Sequence, residues 1–440
     1  MMRSLALTIF CGVIVVKSAV IDTSKDKNGF LPSSVEDALN DDVTSVFNEV
    51  SGNDSVNYSI EMHSIETDDG YILTVHRIIN KALITKKKGI PVLLQHSYLS
   101  SSMDWLILGP KRALGFLLAD AGYDVWLGNF RGNKYSSGHV YYNHSNSEYW
   151  NFSFHEMGMF DIPSMIDYIM LKSSYNKLYY IGHGQAVTAF LAMASMKPAY
   201  NDKVARTFAL GPIAFCNAMF SPMFQGIANL EQKYKNSLPE LIGKDEFQPS
   251  NKLLYPYANY ICNSTDSYQN GPLCFNFMAL LNGFKEDNID QGKIGHEIAD
   301  FDLNSLPGWY NGGVGSAPDS VVATLNLILR YSSLGGASAK EIEHYAQLYN
   351  SGIFQQFNNG PHYDLTKVTT PVTIFYSDND WISSVRDAYL LRKKLRGVQD
   401  IVIDFHPFFH VDFLWGKQAK KNVYEPLMDI MKFDSAVISN

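Results

Sequence analysis

Basic residues are too few in this sequence to indicate a nucleic-acid-binding protein. The chain has 36 Lys and Arg against 44 Asp and Glu, which gives a formal net charge of −8. Binding to phosphates requires clustered cations. The longest basic run, residues 86–88, precedes a predicted strand and is typical of a solvated loop. We therefore expect no nucleic-acid partner.

Long hydrophobic runs are also lacking beyond the first residues of the chain. An apolar stretch from Leu5 to Val16 follows Arg3 and ends in small residues. It is too short to span a bilayer comfortably and is typical of a secretory signal peptide, the alternative being an uncleaved anchor. We predict a signal peptide over residues 1–19 and a secreted protein without a transmembrane anchor, and we favour this over a lysosomal-type compartment.

Cysteine is scarce, with 4 residues in the chain, and no cysteine pair has the spacing of zinc ligands. We therefore predict no metal and no cofactor. In an exported chain, a disulfide between Cys262 and Cys274 would close the polar loop that they bracket, leaving Cys216 as a buried free thiol.

Glycosylation is the modification that the sequence predicts most directly. Several sequons behind a signal peptide indicate a glycoprotein. The N-x-S/T sequons lie at Asn53, Asn57, Asn143, Asn151 and Asn263.

Short apolar strands alternate with helical patterns through most of the chain, which predicts a mostly parallel sheet covered by helices on both faces. A segment rich in aromatic and loop residues interrupts this alternation and is predicted to be an inserted cap. The predicted units are an N-terminal arm (20–58), a first core part (59–215), the cap (216–340) and a second core part (341–440). Ligands of such folds bind at the carboxyl ends of the strands, here beneath the cap.

The stretch "YIGHGQAVTAF", residues 180–190, predicts a strand, a sharp turn and a helix. This is the arrangement in which a G-x-S-x-G elbow presents a nucleophilic serine. Here the central position is Gly184 and the last glycine is replaced by Ala186. An acyl-enzyme route requires an oxygen at position 184, and glycine has none.

Asp380 and His410 follow Gly184 in the chain at positions suited to a catalytic acid and a catalytic base. Asp380 closes "TIFYSDND" just after an apolar strand, and His410 lies in "HPFFHVDFLWG" between the last strand and the last helix. Alone, each would be interpreted as an ordinary turn or loop residue. With Gly184 they follow the order nucleophile, acid, base of α/β-hydrolases.

Several blocks of the sequence resemble the acid lipase family of α/β-hydrolases, which contains gastric and lysosomal acid lipases and insect relatives. The resemblance spans about Tyr58 to Lys432 and is carried by "HSIETDDGYILTVHRI", "PVLLQHSYLSSSMDW", "AGYDVWLGNFRGNKYS", "YWNFSFHEMGMFDIPSMIDYI", "SDNDWI" and "HVDFLWG". It implies an α/β-hydrolase fold with a lid that covers an acyl-chain pocket. The Cys262–Cys274 pair resembles a disulfide found in that lid.

The resemblance also assigns roles to individual positions. The nucleophile falls on Gly184, the acid on Asp380 and the base on His410. The oxyanion-hole donors are backbone amides, which fall on Tyr98 and Gln185.

The departures from the family pattern lie at the positions that perform chemistry. Besides Gly184 and Ala186, Ser97 and Tyr98 occupy positions where Gly and Leu are usual. This pattern favours a protein that has kept its fold and lost ester hydrolysis. The oxyanion loop contains further serines, but no relocated nucleophile is expected because none of them lies on an elbow. These loop serines are Ser97, Ser100, Ser101 and Ser102.

The sequence therefore predicts a secreted, non-catalytic lipase-like protein that binds or stores a fatty acid or neutral lipid, or serves as a bulk secreted protein. One alternative is an ester hydrolase in which His410, oriented by Asp380, activates water directly. Another is an interaction protein that acts through its cap, with a pocket blocked by Tyr98. Nothing in the sequence indicates an oligomeric state.

Overall fold

The computed structural model describes residues 44, 47–48, 56–83, 89–247 and 336–438. The predicted signal peptide, most of the predicted arm and cap, and the Cys262–Cys274 pair lie outside these residues. The described strands are β1 (Tyr58–Glu66), β2 (Tyr71–Asn80), β3 (Pro91–Gln95), β4 (Asp124–Gly128), β5 (Gly138–His139), β6 (Leu178–His183), β7 (Val204–Leu210), β8 (Val372–Tyr376) and β9 (Gln399–Val402).

Helices follow most of these strands, as the alternating pattern predicts. One turn of α-helix (Phe154–Glu156) and a π-helical turn (Met157–Asp161) precede α2, and another π-helical turn (Lys420–Tyr424) precedes α9. The helices are α1 (Leu114–Asp120), α2 (Ile162–Lys172), α3 (Gln185–Met196), α4 (Pro222–Tyr234), α5 (Leu238–Ile242), α6 (Ala339–Ser351), α7 (Val385–Lys394), α8 (Asp412–Trp415) and α9 (Glu425–Ile438).

One sheet contains all nine of these strands, in the order β1-β2-β4-β3-β6-β7-β8-β9, with β5 paired to β2. Every pairing from β4 to β9 is parallel, whereas β1 and β2 form an antiparallel hairpin and β2 runs antiparallel to β4. Six parallel strands place their carboxyl ends along one edge. The prediction of a mostly parallel sheet is confirmed, and the fold is that of an α/β-hydrolase.

Both faces of the sheet are buried, because neighbouring residues of the central strands belong to opposite core layers. In β6, Tyr180 packs in the layer that contains α2 and α3, whereas Tyr179 and Ile181 pack in the layer that contains α1 and α9. Strands with two covered faces are continuously apolar rather than alternating. The run Leu178–Ile181 has this character.

The described flanks of the cap pack on the core. Helix α4, at the cap's beginning, lies against α6, which follows its end, and Phe224 and Tyr345 form an edge-to-face ring pair with centroids 6.1 Å apart. The boundaries 216 and 340 remain predictions. Within the described ranges, no helix has the length and apolar character that crossing a bilayer requires.

Several titratable side chains are buried in the core. Burial raises the pKa of Asp104 and of Glu341 to about 8 in each case. Burial also lowers the pKa of His76 to about 3 and those of His96 and His344 to about 4. The folded state therefore favours neutral forms of both kinds of residue.

These shifts predict opposite slopes of stability on the two sides of pH 6.5. From pH 6.5 down to about 4.5 the three histidines bind protons only in the unfolded chain, which lowers the free energy of unfolding as pH falls. The two carboxyls bind protons only in the folded chain over the same range and offset part of this loss. Above pH 6.5 the two carboxyls still bind protons only in the folded chain, so stability falls as pH rises, by up to about 1.4 kcal/mol per pH unit for each group and by about half of that near pH 8. Urea unfolding of Glu341→Gln over pH 6.5–8 should show a slope reduced by that amount.

The surface variant Glu240→Gln is the matched control and should keep the native slope. An unchanged slope in Glu341→Gln would contradict the assignment of a neutral Glu341.

Candidate active site

The turn between β6 and α3 has the backbone of an elbow. Gly184 adopts φ +51° and ψ −112° as the residue that precedes α3. Its N–H donates to the carbonyl of Leu210, the last residue of the neighbouring strand β7, over 3.0 Å. A positive φ is strained for residues with a Cβ, and glycine adopts it without that cost.

Gly182 and Ala186 show how closely α3 approaches β6. A Cβ at Gly182 would lie 2.9 Å from the ring of Tyr180 and 3.1 Å from the Cβ of Ala186. The methyl group of Ala186 is fully buried, and its carbonyl accepts a hydrogen bond from the Tyr180 hydroxyl over 2.9 Å. The structure thus accommodates alanine at the last glycine position.

Asp380 and His410 meet at the carboxyl edge of the sheet, as the sequence predicts. His410 Nδ1 donates to Asp380 Oδ2 over 2.8 Å, and both residues are buried. The other oxygen, Asp380 Oδ1, accepts the N–H groups of Ile382 and Ser383, each over 2.8 Å. The aspartate therefore fixes the imidazole tautomer in which Nε2 carries a lone pair.

That lone pair faces the elbow. His410 Nε2 is buried and has no hydrogen-bond partner in the described part of the chain. A Cβ at Gly184 would lie 2.8 Å from this nitrogen. The base is thus directed at the place where a nucleophile on residue 184 would stand.

Ser97 occupies part of this place. The same Cβ at Gly184 would lie 2.2 Å from Ser97 Oγ, a distance at which atoms must shift. Because these two distances share an endpoint, Ser97 Oγ and His410 Nε2 are at most about 5 Å apart. The backbone N–H of Gln185, one of the predicted oxyanion donors, hydrogen-bonds Ser97 Oγ over 3.2 Å.

The loop that carries Ser97 is held by its neighbour His96. His96 Nδ1 donates to the Ser97 carbonyl over 2.7 Å, while Nε2 accepts from the Phe130 amide over 3.0 Å and from Asn133 Nδ2 over 3.1 Å. Burial lowers the pKa of His96 to about 4, which keeps this ring neutral. The position of the serine is therefore set by fixed contacts.

Tyr98, the other predicted oxyanion residue, extends towards the cap. Its buried ring lies 5.9 Å from that of Phe247 and 6.3 Å from that of Tyr345, measured between centroids. Its ring thus packs among aromatic side chains of the cap and of α6.

Sequence reasoning missed two further residues of the site. At Gly211, which has φ +53°, a Cβ would lie 3.0 Å from both Asp380 Oδ2 and His410 Nδ1, so the acid–base pair needs glycine there. His183 Nε2 donates to the His410 carbonyl over 3.0 Å, and the two rings lie 4.3 Å apart. His183 is the last residue of β6 and Gly211 directly follows β7, but their roles depend on packing between distant segments.

The remaining predicted positions are the cysteines and the sequon asparagines. Cys216 is a buried free cysteine. Asn53, Asn263, Cys262 and Cys274 lie outside the described residues, so glycosylation and the disulfide remain predictions there. Three sequon asparagines are exposed, namely Asn57, Asn143 and Asn151. Within the same residues, no group of three or more His, Cys, Asp or Glu side chains is arranged to hold a metal ion.

An elbow, a carboxylate–imidazole pair and an oxyanion loop at the carboxyl edge of a parallel sheet define a protein of the α/β-hydrolase class. Comparison with protein families agrees: residues 90–417 match the family described as "alpha/beta hydrolase fold", and residues 53–109 match "Partial alpha/beta-hydrolase lipase region".

Curated relatives narrow the class. The chain is 35% identical to Lipase 3 of Drosophila melanogaster over 85% of this chain and 90% of that protein. It is 30% identical to the human lysosomal acid lipase/cholesteryl ester hydrolase over 84% of this chain and 87% of that protein. A solved structure of a candidate lipase from Sulfolobus solfataricus shares the fold, with TM-score 0.52, 13% identity, and coverage of 87% and 96% of the two chains. The chain belongs to the acid lipase family of α/β-hydrolases.

The short approach of Ser97 to position 184 predicts that these two residues are energetically coupled. Gly184→Ala should lower the free energy of unfolding by about 2 kcal/mol, from backbone strain plus the clash. Adding Ser97→Gly should recover about 1 kcal/mol, because it removes the clashing Oγ. A double-mutant cycle measured by chemical unfolding gives both values.

Gly397 provides the control, because it has φ +63° and a Cβ added there would meet open space, so Gly397→Ala suffers strain without a clash. The cost of Gly397→Ala should not depend on residue 97. Equal costs of Gly184→Ala in both backgrounds would contradict the coupling.

Proposed function

We propose that this protein is a secreted, glycosylated member of the acid lipase family that binds a fatty acid or neutral lipid and does not hydrolyse lipid esters at a lipase's rate. The proposal rests on the combination, at the elbow, of an intact acid–base pair with a residue 184 that has no side chain. The acid–base pair of Asp380 and His410 and the Gln185 amide are in place, but residue 184 has no side chain to attack an ester.

The loss of hydrolysis follows from the chemistry of the elbow. An acyl-enzyme on residue 184 requires a side-chain oxygen, and removing the nucleophile of a serine hydrolase costs on the order of a millionfold in turnover. Direct attack by water activated by His410 would be slow, because nothing on the elbow holds the water in line with the carbonyl.

Lipid binding is supported by the polar groups that remain beside apolar surface. Buried His410 Nε2 and the Ser97 hydroxyl can hydrogen-bond a carboxyl or ester group. At the rim of the site, Phe220 is 61% exposed, and its amide donates to the carbonyl of Trp381, the residue after Asp380. A few convergent polar groups beside aromatic side chains are typical of a site for an amphipathic ligand.

Export is part of the proposal. It is supported by the apolar segment at residues 5–16 and by the exposure of Asn57, Asn143 and Asn151. No nucleic-acid partner is proposed.

Oleate should raise the melting temperature of the delipidated native protein. A ligand that binds only the folded state stabilises it by about 2.7 kcal/mol when its concentration is 100 times Kd. Acetate, which has the carboxylate without the acyl chain, should give no shift. Phe220→Ser should weaken the oleate effect, whereas Leu171→Ser, at an exposed residue of α2, should not.

Absence of an oleate-dependent shift, together with absence of lipid in organic extracts of the purified protein, would refute lipid binding.

Restoring the family residues at positions 97 and 184 should restore ester hydrolysis. We expect Gly184→Ser combined with Ser97→Gly to hydrolyse p-nitrophenyl butyrate at least about 100-fold faster than the native protein, because the frame around the elbow is intact. Gly184→Ser alone should give little of this gain, since its Cβ meets Ser97 Oγ.

Adding His410→Ala to the double variant is the control and should abolish the gain. Rapid hydrolysis by the native protein, at the rate of the double variant, would refute the proposed loss of activity.

A further inference from the structure

We propose that Ser97 is a relocated nucleophile, whose hydroxyl forms a covalent ester with the acyl group of a carboxylic ester or with the phosphorus of a fluorophosphonate, and that His410 accepts its proton. This goes beyond the proposed function, which concerns reversible lipid binding and the absence of rapid turnover. Reversible lipid binding can be correct without a reactive Ser97, and Ser97 can be reactive without reversible lipid binding.

The position of Ser97 Oγ is the first support. It lies 2.2 Å from where the Cβ of residue 184 would be, which is inside the space that an elbow nucleophile's side chain would fill. Ser97 can enter this space only because residue 184 is glycine. The sequence argument against a relocated nucleophile considered elbow positions alone and could not include this occupation of vacated space.

The second support is the buried nitrogen that faces the same space. His410 Nε2 lacks a partner within the described residues, and its tautomer leaves it a lone pair. The upper limit of about 5 Å between Ser97 Oγ and His410 Nε2 is within reach of a rotamer change or a small loop shift. Nucleophile–base hydrogen bonds are often long before a substrate binds.

The third support is the hydrogen bond from the Gln185 amide to Ser97 Oγ, 3.2 Å long. In this bond the hydroxyl accepts, so its own hydrogen is free to be donated to His410. An oxygen on a carbon bonded to Oγ would also come within reach of the Gln185 N–H. The amide can thus stabilise the oxyanion of an intermediate on Ser97.

The step balances as an ordinary transesterification. A lone pair of Ser97 Oγ attacks the acyl carbon, the C=O π pair moves to the oxygen, and the hydroxyl proton passes to His410 Nε2. Collapse of this intermediate breaks the C–O bond to the alcohol, which leaves with the proton from His410. With a fluorophosphonate, an Oγ–P bond forms, fluoride leaves, and the proton passes through His410 to solvent.

The test is labelling of the intact native protein with a long-chain alkyl fluorophosphonate, followed by intact mass measurement and peptide mapping. We expect one adduct per chain, located on Ser97. Ser97→Ala and Ser97→Gly should each lower the second-order labelling rate at least about 100-fold, and His410→Gln should lower it similarly because the proton acceptor is lost. Ser100→Ala, three positions further along the same loop, should label like the native protein.

Absence of an adduct on the native protein, or an adduct that survives in both Ser97 variants, would overturn the proposal. Melting temperatures of the variants show that any loss of labelling occurs in folded protein. The oleate-dependent shift of the native protein separates the two proposals, since it reports reversible binding whether or not the fluorophosphonate labels Ser97.

Discussion

A missing Cβ at Gly184 is the constraint on which the arrangement of this site depends. The elbow backbone, at φ +51°, holds residue 184 between the oxyanion loop and the acid–base pair. Any side chain there would lie within 3 Å of both Ser97 Oγ and His410 Nε2. Glycine therefore relieves backbone strain and leaves a space, and the hydroxyl of Ser97 fills part of that space from a different strand end.

The segments that carry Asp380 and His410 are also held by hydrogen bonds outside the pair. Asp380 Oδ1 accepts the amides of Ile382 and Ser383, which closes the turn after β8. The His410 carbonyl accepts a hydrogen bond from His183, which ties the last long loop to the end of β6. Removing the Asp380 carboxylate would leave His410 Nδ1 and two amides unpaired, and removing the imidazole would leave Asp380 Oδ2 unpaired, at a cost of about 1–3 kcal/mol for each buried group. The pair therefore has a structural reason to persist even when the elbow has no nucleophile.

Local sequence patterns predicted most of the fold, because its elements are specified locally. The Asp69–Gly70 turn, with Gly70 at φ +93°, joins β1 and β2 as expected, and the apolar runs form the parallel strands. The chain order of Gly184, Asp380 and His410 predicted their meeting. The roles of Ser97 and Gly211 could not be predicted in this way, since they arise from distances between segments far apart in sequence. Much of the predicted cap lies outside the described residues, so its lid role stays a prediction.

This chain has serine at position 97 and glycine at position 184, where the family usually has glycine and serine. The site therefore still contains a hydroxyl group, but that group is placed differently from the hydroxyl of an elbow serine. A serine on the elbow is held by backbone that is itself fixed between β6, β7 and α3, so its Oγ approaches a substrate from one direction. Ser97 reaches the same space from a loop that is held by the hydrogen-bonded ring of His96. Its Oγ accepts a hydrogen bond from the Gln185 amide, which is also the amide that would stabilise an oxyanion. Attack by Ser97 must therefore break its hydrogen bond with the Gln185 amide before that amide can bind the oxyanion. A serine on the elbow would leave the Gln185 amide free to bind the oxyanion in the transition state. Effective positioning accounts for several kcal/mol of an enzyme's barrier reduction. A protein with this geometry can thus have a reactive serine and still lack a lipase's turnover.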